Sequence, residues 1–386
     1  MSEIDLRAVL KDHYSRADDW NQYQGRQRLS LAKSYNAEPY GNERDGRSRV
    51  VMSDVRDTVS AVMPSLMRVF FGSRRAIEFV PTSPAVAEIA EQATDYVSYI
   101  IRNDNPGFLE FYRWFKDALI GGLGVMKVWW DERQTIEQSE FSGVDEQVAA
   151  MVVQEATMNP GMEVAVHPDP SGRPGVVGGT ITYRGLLDGV RFRVVPPEEF
   201  LIEPGAVEVD TAKYVAHRTI LSVSDLVAMG YPRDLVEANI SPETELSAFG
   251  EERFRRWDAA VGPGVVDPSG RPVLYVEHYV RVDSDDDGVA ELHRICTVGE
   301  GFEVVSDDVV DCAPFVLITP DPESHQLVGT SLAERVEDIQ RLKTALMRGV
   351  LDSLALAVTP RYGVVEGQAS LADVLNDDVG APIRMA

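Results

Sequence analysis

Residues 329–358 are the longest stretch in which apolar side chains keep one helical period from start to finish. The apolar positions recur in steps of three and four and are Leu332, Val336, Ile339, Leu342, Leu346, Val350 and Leu354. This spacing places them on one face of an α-helix. Ser331 and Glu334 have the spacing of a capping box, and Pro360 ends the pattern. The sequence therefore predicts a helix of roughly 25 residues, about 37 Å long.

The opposite face of this helix is charged, which argues against a helix buried on all sides. Its charged residues are Glu334, Glu337, Asp338, Arg341, Lys343, Arg348 and Asp352. One interpretation is an ordinary amphipathic helix that packs on a core. The other is a strut that packs against copies of itself in a ring and keeps its charged face in water.

The composition is typical of a folded protein, and the net charge limits the kinds of partner that the protein can bind. The chain has 386 residues, of which 44% are hydrophobic and 26% charged, and this length suits two or three domains. With 37 basic and 62 acidic residues, the net charge of −25 argues against nucleic-acid binding through a broad basic surface. A protein past which DNA moves remains compatible with this charge.

Other sequence signals concern thiols and membranes. Cys296 and Cys312 have neither a CxxC spacing nor neighbouring histidines, which indicates reduced thiols and no structural zinc. The sequence has no apolar core of a signal peptide and no apolar run of about 18 residues, so neither export nor a membrane span is predicted.

Four helical patterns precede residue 125, over residues 5–34, 53–70, 84–104 and 107–122. Pro64 is predicted to kink the second helix, and residues 76–81 (AIEFVP) are predicted to form a short strand. The third helix is predicted to bury Val86, Ile89, Ala93, Tyr96, Val97 and Ile100. With a strand over residues 125–130, these patterns indicate an α-rich core.

Strand patterns dominate the middle of the chain. Strands are predicted around 180–187, 190–195, 214–222, 273–282, 290–298 and 312–320, and helices near 144–157, 221–232 and 243–261. Residues 262–320 are interpreted as a small β-rich insert between helical segments. The segregated helices and strands predict an α+β fold class.

An Asp-rich turn matches the first half of a calcium loop. Asp283, Asp285 and Asp287 with Gly288 fit the pattern D-x-D-x-D-G, but the twelfth position is Arg294 and not glutamate. Strands flank the turn where helices are expected. A β-turn with solvated carboxylates is the favoured interpretation, and a Ca²⁺ site is the weaker alternative. No other metal and no cofactor is predicted.

No catalytic motif is found, so no catalytic residue is predicted. The glycines of residues 121–124 follow a helix and precede a strand, which indicates a helix cap and not a phosphate-binding loop. The aromatic residues Phe108, Phe111, Tyr112, Trp114, Phe115, Trp129 and Trp130 lack interleaved basic residues, so core packing is favoured over a base-stacking platform. A soluble enzyme with a cryptic carboxylate site is the competing class.

Several segments, taken in order, resemble the portal proteins of tailed bacteriophages, in particular the P22-like podovirus portal family. They are RDGRSRVVMSDVRDTVSAVMPSLMRVFFGS, EQATDYVSYIIRNDNPGFLEFYRWFKDALIGGLGVMKVWW, VVPPEEFLIEP, DSDDDGVAELHRI and VGTSLAERVEDIQRLKTALMRGVLDSLALAVTPR. The resemblance covers most of the chain and depends on the order of the segments, not on one motif.

The resemblance implies a dodecameric ring at the capsid portal vertex of a virion, built in the host cytoplasm. Double-stranded DNA would be packaged and ejected through it. Implied partners are further copies of the chain, the major capsid protein, the terminase large subunit and a tail adaptor or head-tail connector, with no membrane. Another capsid or tail-adaptor component is the alternative.

The resemblance also implies a division of the chain. It gives wing and core (1–221), a first stem helix region (222–261), a β-rich clip (262–328), a second stem helix (329–358) and a return to the wing (359–386). Because residues 380–386 (GAPIRMA) end without a cap, turn or polar tail, the biological chain is expected to continue into further wing, barrel or crown segments.

Two sets of residues on the second stem helix follow from this assignment. Subunit packing is assigned to Leu332, Val336, Ile339, Leu346 and Val350, and contact with passing DNA to Arg335, Arg341, Lys343 and Arg348. The acidic net charge predicts that DNA is guided and weakly bound, because salt screens charges beyond about 8 Å. Without a phosphate-binding loop, the energy for packaging is expected to come from a partner motor.

Overall fold

A computed structural model describes residues 3–75, 77–158, 162–168, 176–240, 252, 267–284, 288–358 and 370. Within these residues the chain forms a helical group and two antiparallel sheets, so the α+β class is confirmed. The helices are α1 (Glu3–Tyr35), α2 (Asp54–Phe71), α3 (Ala87–Tyr99), α4 (Gly107–Gly121), α5 (Glu146–Met158), α6 (Val223–Ala228), α7 (Arg233–Ala238) and α8 (Leu332–Val358).

The strands fall into two sheets. They are β1 (Gly124–Asp145), β2 (Met162–Pro168), β3 (Val176–Val195), β4 (Phe200–Ile202), β5 (Tyr214–Ser222), β6 (Pro272–Val282), β7 (Glu291–Val298), β8 (Glu303–Val309) and β9 (Phe315–Ile318). One sheet has the order β2-β3-β1-β9, and the other has the order β4-β5-β6-β7-β8. β2, β4 and β8 were not predicted from the sequence, and β1 continues beyond residue 130, where the predicted strand ends.

The strands of residues 262–320 are shared between these two sheets and do not form a sheet of their own. β6 pairs with β5 over residues 214–222, and β9 pairs with β1 at its first residues. Both faces of β6 carry apolar side chains, since Leu274 and Val276 join one core cluster and Val273 and Tyr275 another. A strand apolar on both faces needs cover on both, which a small separate insert would not supply.

Helix α1 covers the five-stranded sheet. Leu10 and Ala17 are fully buried against it, so the side of the helix that carries them is its docking face. A buried ion pair fixes the contact: Arg218 of β5 donates to Asp18 of α1 at 2.7 Å and to the Tyr14 hydroxyl at 3.0 Å.

The two sheets are joined by a buried charge pair. Lys127 of β1 donates to the carboxylate of Glu277 on β6, and the Tyr279 hydroxyl donates to the same carboxylate at 3.1 Å. Burial alone would raise the pKa of Glu277, but the Lys127 ammonium, His217 and the hydrogen bonds from Lys127 and Tyr279 together hold the pKa below its usual value. The ionised pair therefore fixes one sheet against the other.

Helices α2, α4 and α8 form the helical core with α1. Val55, Val59, Met63 and Met67 of α2 are buried at four-residue spacing, and the helix continues through Pro64. Aromatic rings of α2 and α4 fill the core, with edge-to-face and tilted contacts among Phe70, Phe71, Phe111, Trp114 and Phe115. The preference for core packing over a stacking platform is thus supported for these rings, whereas Phe108, Tyr112 and Trp130 are exposed.

Residues 77–81 do not form the predicted strand. They run extended beside α3, where the Phe79 amide donates to the Thr94 hydroxyl at 2.9 Å. The predicted buried face of α3 is confirmed only near the end of the helix, where Ile100 is buried and Val97 packs on the core. Its inward side holds Thr94 and Ser98, and Ile89 and Tyr96 point outward.

The described part of residues 222–261 contains two short helices, α6 and α7, in place of one long helix. Ser222 and Asp225 form a capping box that starts α6, and Gly230 takes φ +97° just after it ends. Leu226 of α6 is buried, and Val227 is exposed. The predicted helix over 243–261 lies outside the described residues, apart from Glu252.

Candidate functional site

Helix α8 is the long helix that the sequence predicts, from Leu332 to Val358. Ser331 is buried just before it, and its hydroxyl accepts from the Glu334 amide at 2.9 Å, as a helix cap does. The Glu334 carboxylate accepts from the side chain of Gln27 on α1 at 3.2 Å. The predicted start of the helix is confirmed.

The apolar face of α8 points away from its own chain. We call Ile339, Leu342, Leu346, Val350 and Leu354 the apolar stripe. In the single chain, Ile339 is 51% exposed, Leu346 63% and Val350 62%. Leu332 and Val336, nearer the start of the helix, are half-buried against the helical core. Whether another copy covers the stripe is untested, so its role in packing stays a prediction.

A row of polar side chains occupies the inward side of α8. Gln340, Thr344, Arg348 and Asp352 follow one another at intervals of four residues, which places them on one face. At 100° per residue this row lies nearly opposite the apolar stripe. Gln340 and Thr344 are buried, and Arg348 and Asp352 are half-buried. The polar side of the helix is thus the one that packs on the chain.

The polar row holds the backbone of residues 42–53, which we call the strap and which turns at Gly46. The Met52 amide donates to the Thr344 hydroxyl at 3.1 Å, and the Ser48 amide donates to Asp352 at 2.7 Å. Between them, Arg348 donates to the Val50 carbonyl at 2.7 Å. The strap therefore runs antiparallel to α8, and helix side chains take the place of a neighbouring strand.

Gln340 is the first residue of the polar row and contacts two other helices. Its carbonyl oxygen accepts from the Val55 amide in the first turn of α2 at 2.9 Å, and its amide donates to the Ser34 carbonyl of α1 at 2.9 Å. The first amides of a helix have no partner within the helix. One buried side chain thus joins α8 to the start of α2 and the end of α1.

Arg348 also binds the first residues of the strap. It donates to Glu43 at 2.6 Å and to the Asn42 side chain at 2.9 Å, and its guanidinium lies over the Tyr40 ring. The hydrogen bond from Arg348 is the main reason that the pKa of Glu43 is lowered to about 2. Glu43 is therefore ionised throughout the neutral range and keeps the strap attached.

Each of the four cations assigned to DNA contact has an acidic partner in its own chain. Arg335 pairs with Asp321, Arg341 with Glu337 at 2.7 Å, and Lys343 with Asp54. Arg348 pairs with Glu43 and is mostly buried. The first three remain more than half exposed. The arrangement lowers the positive potential that these side chains present to an outside polyanion.

The Asp-rich segment lies between β6 and β7 in the chain. The Asp283 carboxylate accepts from the Gly288 amide at 2.9 Å, and Gly288 takes φ +90°. Asp285 and Asp287, the other two calcium candidates, lie outside the described residues. Among the residues that are described, no group of three His, Cys, Asp or Glu side chains could hold a metal ion. Cys296 is buried and Cys312 exposed, and both are free thiols.

Sequence reasoning missed the polar row and the strap. The signal was present as hydrogen-bonding side chains at every fourth position of α8. A matching backbone segment about 300 residues earlier could not be recognised, because a strap bound through its backbone has no side-chain pattern. Gly122 is the helix cap that was predicted, with φ +82° directly after α4.

The family model of the phage SU10 portal protein matches residues 6–386 of the chain. The chain belongs to this portal protein family. The match spans nearly the whole sequence, so the prediction of a tailed-phage portal protein is confirmed, with the SU10 portal family as the family shown. No curated protein matches the sequence. Among the described helices, none is long and apolar enough to cross a bilayer.

Proposed function

We propose that this portal protein assembles into a closed ring at the capsid vertex and that double-stranded DNA passes through the ring during packaging and ejection. The family match supports a portal role, and the portal family is a structural family. The observation that carries the ring is the exposed apolar stripe of α8. A dodecamer, assembled in the host cytoplasm and built into the virion beside the major capsid protein, is the form that we expect.

The stripe supports assembly because its exposure is unfavourable in a single chain. Burying a large aliphatic side chain contributes about 1.5–3 kcal/mol, and a contiguous exposed apolar patch usually marks an interaction surface. The other side of α8 is already occupied by the strap, α1 and α2. A helix fixed along one side and apolar along the other suits a ring wall that contacts its neighbours head to tail.

The charge distribution supports a channel that guides DNA. Each subunit brings a net charge of −25, and the cations of α8 are paired with acids of the same chain. Arg335, Arg341 and Lys343 keep enough exposure for weak phosphate contacts. Strong attraction to phosphates would oppose sliding, so we propose transient contacts of this kind only.

For docking of the terminase large subunit, and then of the tail adaptor, we propose the segment resembling the clip. Its turn between β6 and β7 carries the exposed Val289. Deleting residues 262–320 would remove β6 to β9 and so break both sheets. Docking is therefore better probed by Val289→Asp than by a deletion.

The ring is tested with Ile339→Asp, whose side chain is exposed in the single chain and covered in a ring. The variant should fold normally and remain monomeric in mass photometry and negative-stain images, because a buried unpaired carboxylate costs several kcal/mol. Val148→Asp on α5 is the matched control, since Val148 is 50% exposed and lies on another element.

Normal rings from Ile339→Asp would refute the role of the stripe. The size of the wild-type particle also separates the competing functions. A soluble enzyme would elute as a monomer to tetramer, whereas a portal elutes as a ring of ten or more subunits. A tail-adaptor component would bind a preformed portal ring and would not replace it in capsid assembly.

A further inference from the structure

Helix α3 is a second helix whose apolar face is left uncovered. Ile89 is 64% exposed, Tyr96 62% and Tyr99 51%, and their spacing of seven and three residues places them on one face. We call these three residues the α3 face. Tyrosine is enriched in protein interfaces, because its ring is large and its hydroxyl tolerates water.

The inward side of α3 repeats the arrangement found beneath α8. Thr94 and Ser98 are buried there, and the Thr94 hydroxyl accepts from the Phe79 amide of the extended segment 77–81. A threonine on each of the two helices thus holds an extended stretch of backbone. In both helices this arrangement turns the apolar face toward the outside.

A head-to-tail ring needs two different complementary patches on every subunit. The apolar stripe of α8 is one of them. The opposite side of α8 is bound to its own strap, so α8 cannot offer the second patch to the next copy. The second patch must lie on another element, and the α3 face is an apolar helix face of similar exposure.

The rim of the α3 face is acidic, and two exposed cations lie beside the stripe of α8. Exposed Glu88, Glu91 and Asp95 lie on α3, and Arg75 pairs with the last two, which leaves this flank negative. Arg335 and Lys343 flank the stripe of α8 and remain more than half exposed, although Asp321 and Asp54 of the same chain pair with them. Opposite charges at the rim of an interface favour the correct partner and the correct orientation.

We propose that the α3 face of one subunit receives the apolar stripe of α8 from a neighbouring copy. This inference rests on the proposed ring and adds the identity of the surface that the stripe contacts. The occupant of the α3 face is thus a second copy of this chain. Arg335 and Lys343 of α8 then lie beside the acidic flank of α3.

Two substitutions test this pairing by mixing. Tyr96→Asp removes the α3 face and leaves α8 intact, whereas Ile339→Asp does the reverse. Each variant alone should be folded and monomeric. An equimolar mixture should form dimers and stop there, because only one of the two possible contacts remains intact. Tyr23→Asp on α1 is the control for an exposed tyrosine, and it should assemble as the wild type does.

Cross-linking tests which surfaces meet. Both chains carry Cys312→Ser, which removes the exposed native thiol. The Tyr96→Asp chain carries Leu346→Cys, and the Ile339→Asp chain carries Tyr99→Cys. A short bismaleimide should join these two chains to each other. When the cysteines are exchanged between the two chains, the cross-linked product should fall at least tenfold.

The outcomes separate the inference from the proposed ring. Rings of normal size from Tyr96→Asp, together with monomers from Ile339→Asp, would overturn the α3 pairing and leave the ring in place. Normal rings from both variants would overturn the role of the stripe as well. A mixture that gives neither dimers nor the expected cross-link would also overturn the pairing.

Discussion

Replacing Gln340 by leucine should destabilise the fold of this portal protein without touching its outer surface. Gln340 is fully buried, and its carboxamide is matched by the amide of Val55 and the carbonyl of Ser34. Leucine has a similar volume but cannot form either hydrogen bond. The Val55 amide would then be left buried without a partner, which costs about 1–3 kcal/mol.

Losing the hydrogen bond from Gln340 to the Ser34 carbonyl costs less, because this carbonyl also accepts from the Ala37 amide at 3.1 Å. The total cost is therefore about 2–3 kcal/mol. The measurement is best made in the Ile339→Asp chain, where ring contacts should not add to stability. Amide hydrogen exchange in residues 48–55 should accelerate by about 30-fold or more, since 1.4 kcal/mol corresponds to a factor of ten.

Gln22→Leu on α1 is the matched control, because Gln22 is exposed and bonds only to Asp18 on its own helix among the contacts described. It should leave exchange in the strap unchanged. If Gln340→Leu behaved like this control in exchange and in melting temperature, the polar row would not be what orients α8. The claim that the polar row turns the apolar stripe of α8 outward would then be refuted.

Two further substitutions test the fold elsewhere. Gly122→Ala should lower the melting temperature, because Gly122 has φ +82° and an added Cβ would lie 2.4 Å from the Gly329 carbonyl oxygen. Gly121→Ala is the control and should be tolerated, since its Cβ would meet only Arg28 at 3.5 Å. Burial lowers the pKa of His278 to about 3 from 6.5, so the folded state binds fewer protons than the unfolded state between these values. Stability should fall by about 2 kcal/mol between pH 7 and 5, and thermal melts of His278→Gln should lose this part of the pH dependence.

The bounds of several helices could be predicted from the sequence, because the signals that set them are local. The period of α8, its cap at Ser331 and the capping box at Ser222 all lie within a few residues of the feature that they determine. The aromatic core of α2 and α4 followed from composition and spacing in the same way. For these elements, neighbouring residues alone carry enough information.

Which face of a helix is buried could not be predicted in the same way. Periodicity shows where the apolar residues of α8 lie, and the usual expectation is that this side faces the core. Here the strap outweighs that expectation, through contacts with residues about 300 positions earlier in the chain. The prediction of a strand over residues 76–81 was wrong for a related reason. A strand-like composition does not show whether the backbone will pair with a strand or with a threonine on a helix.

The two outward-facing helices point to an order of events in building the particle. Hydrogen bonds of the kind found in the strap contribute about 1 kcal/mol each, which is less than the burial of one leucine side chain. They act within one chain, however, and require no partner, so they form before any second copy arrives. The polar contacts orient α3 and α8 during folding, and the apolar faces remain for association. A chain that instead buried its apolar stripes on its own core would be more stable alone and less able to assemble, so the polar undersides of these helices are what keep folding and assembly separate.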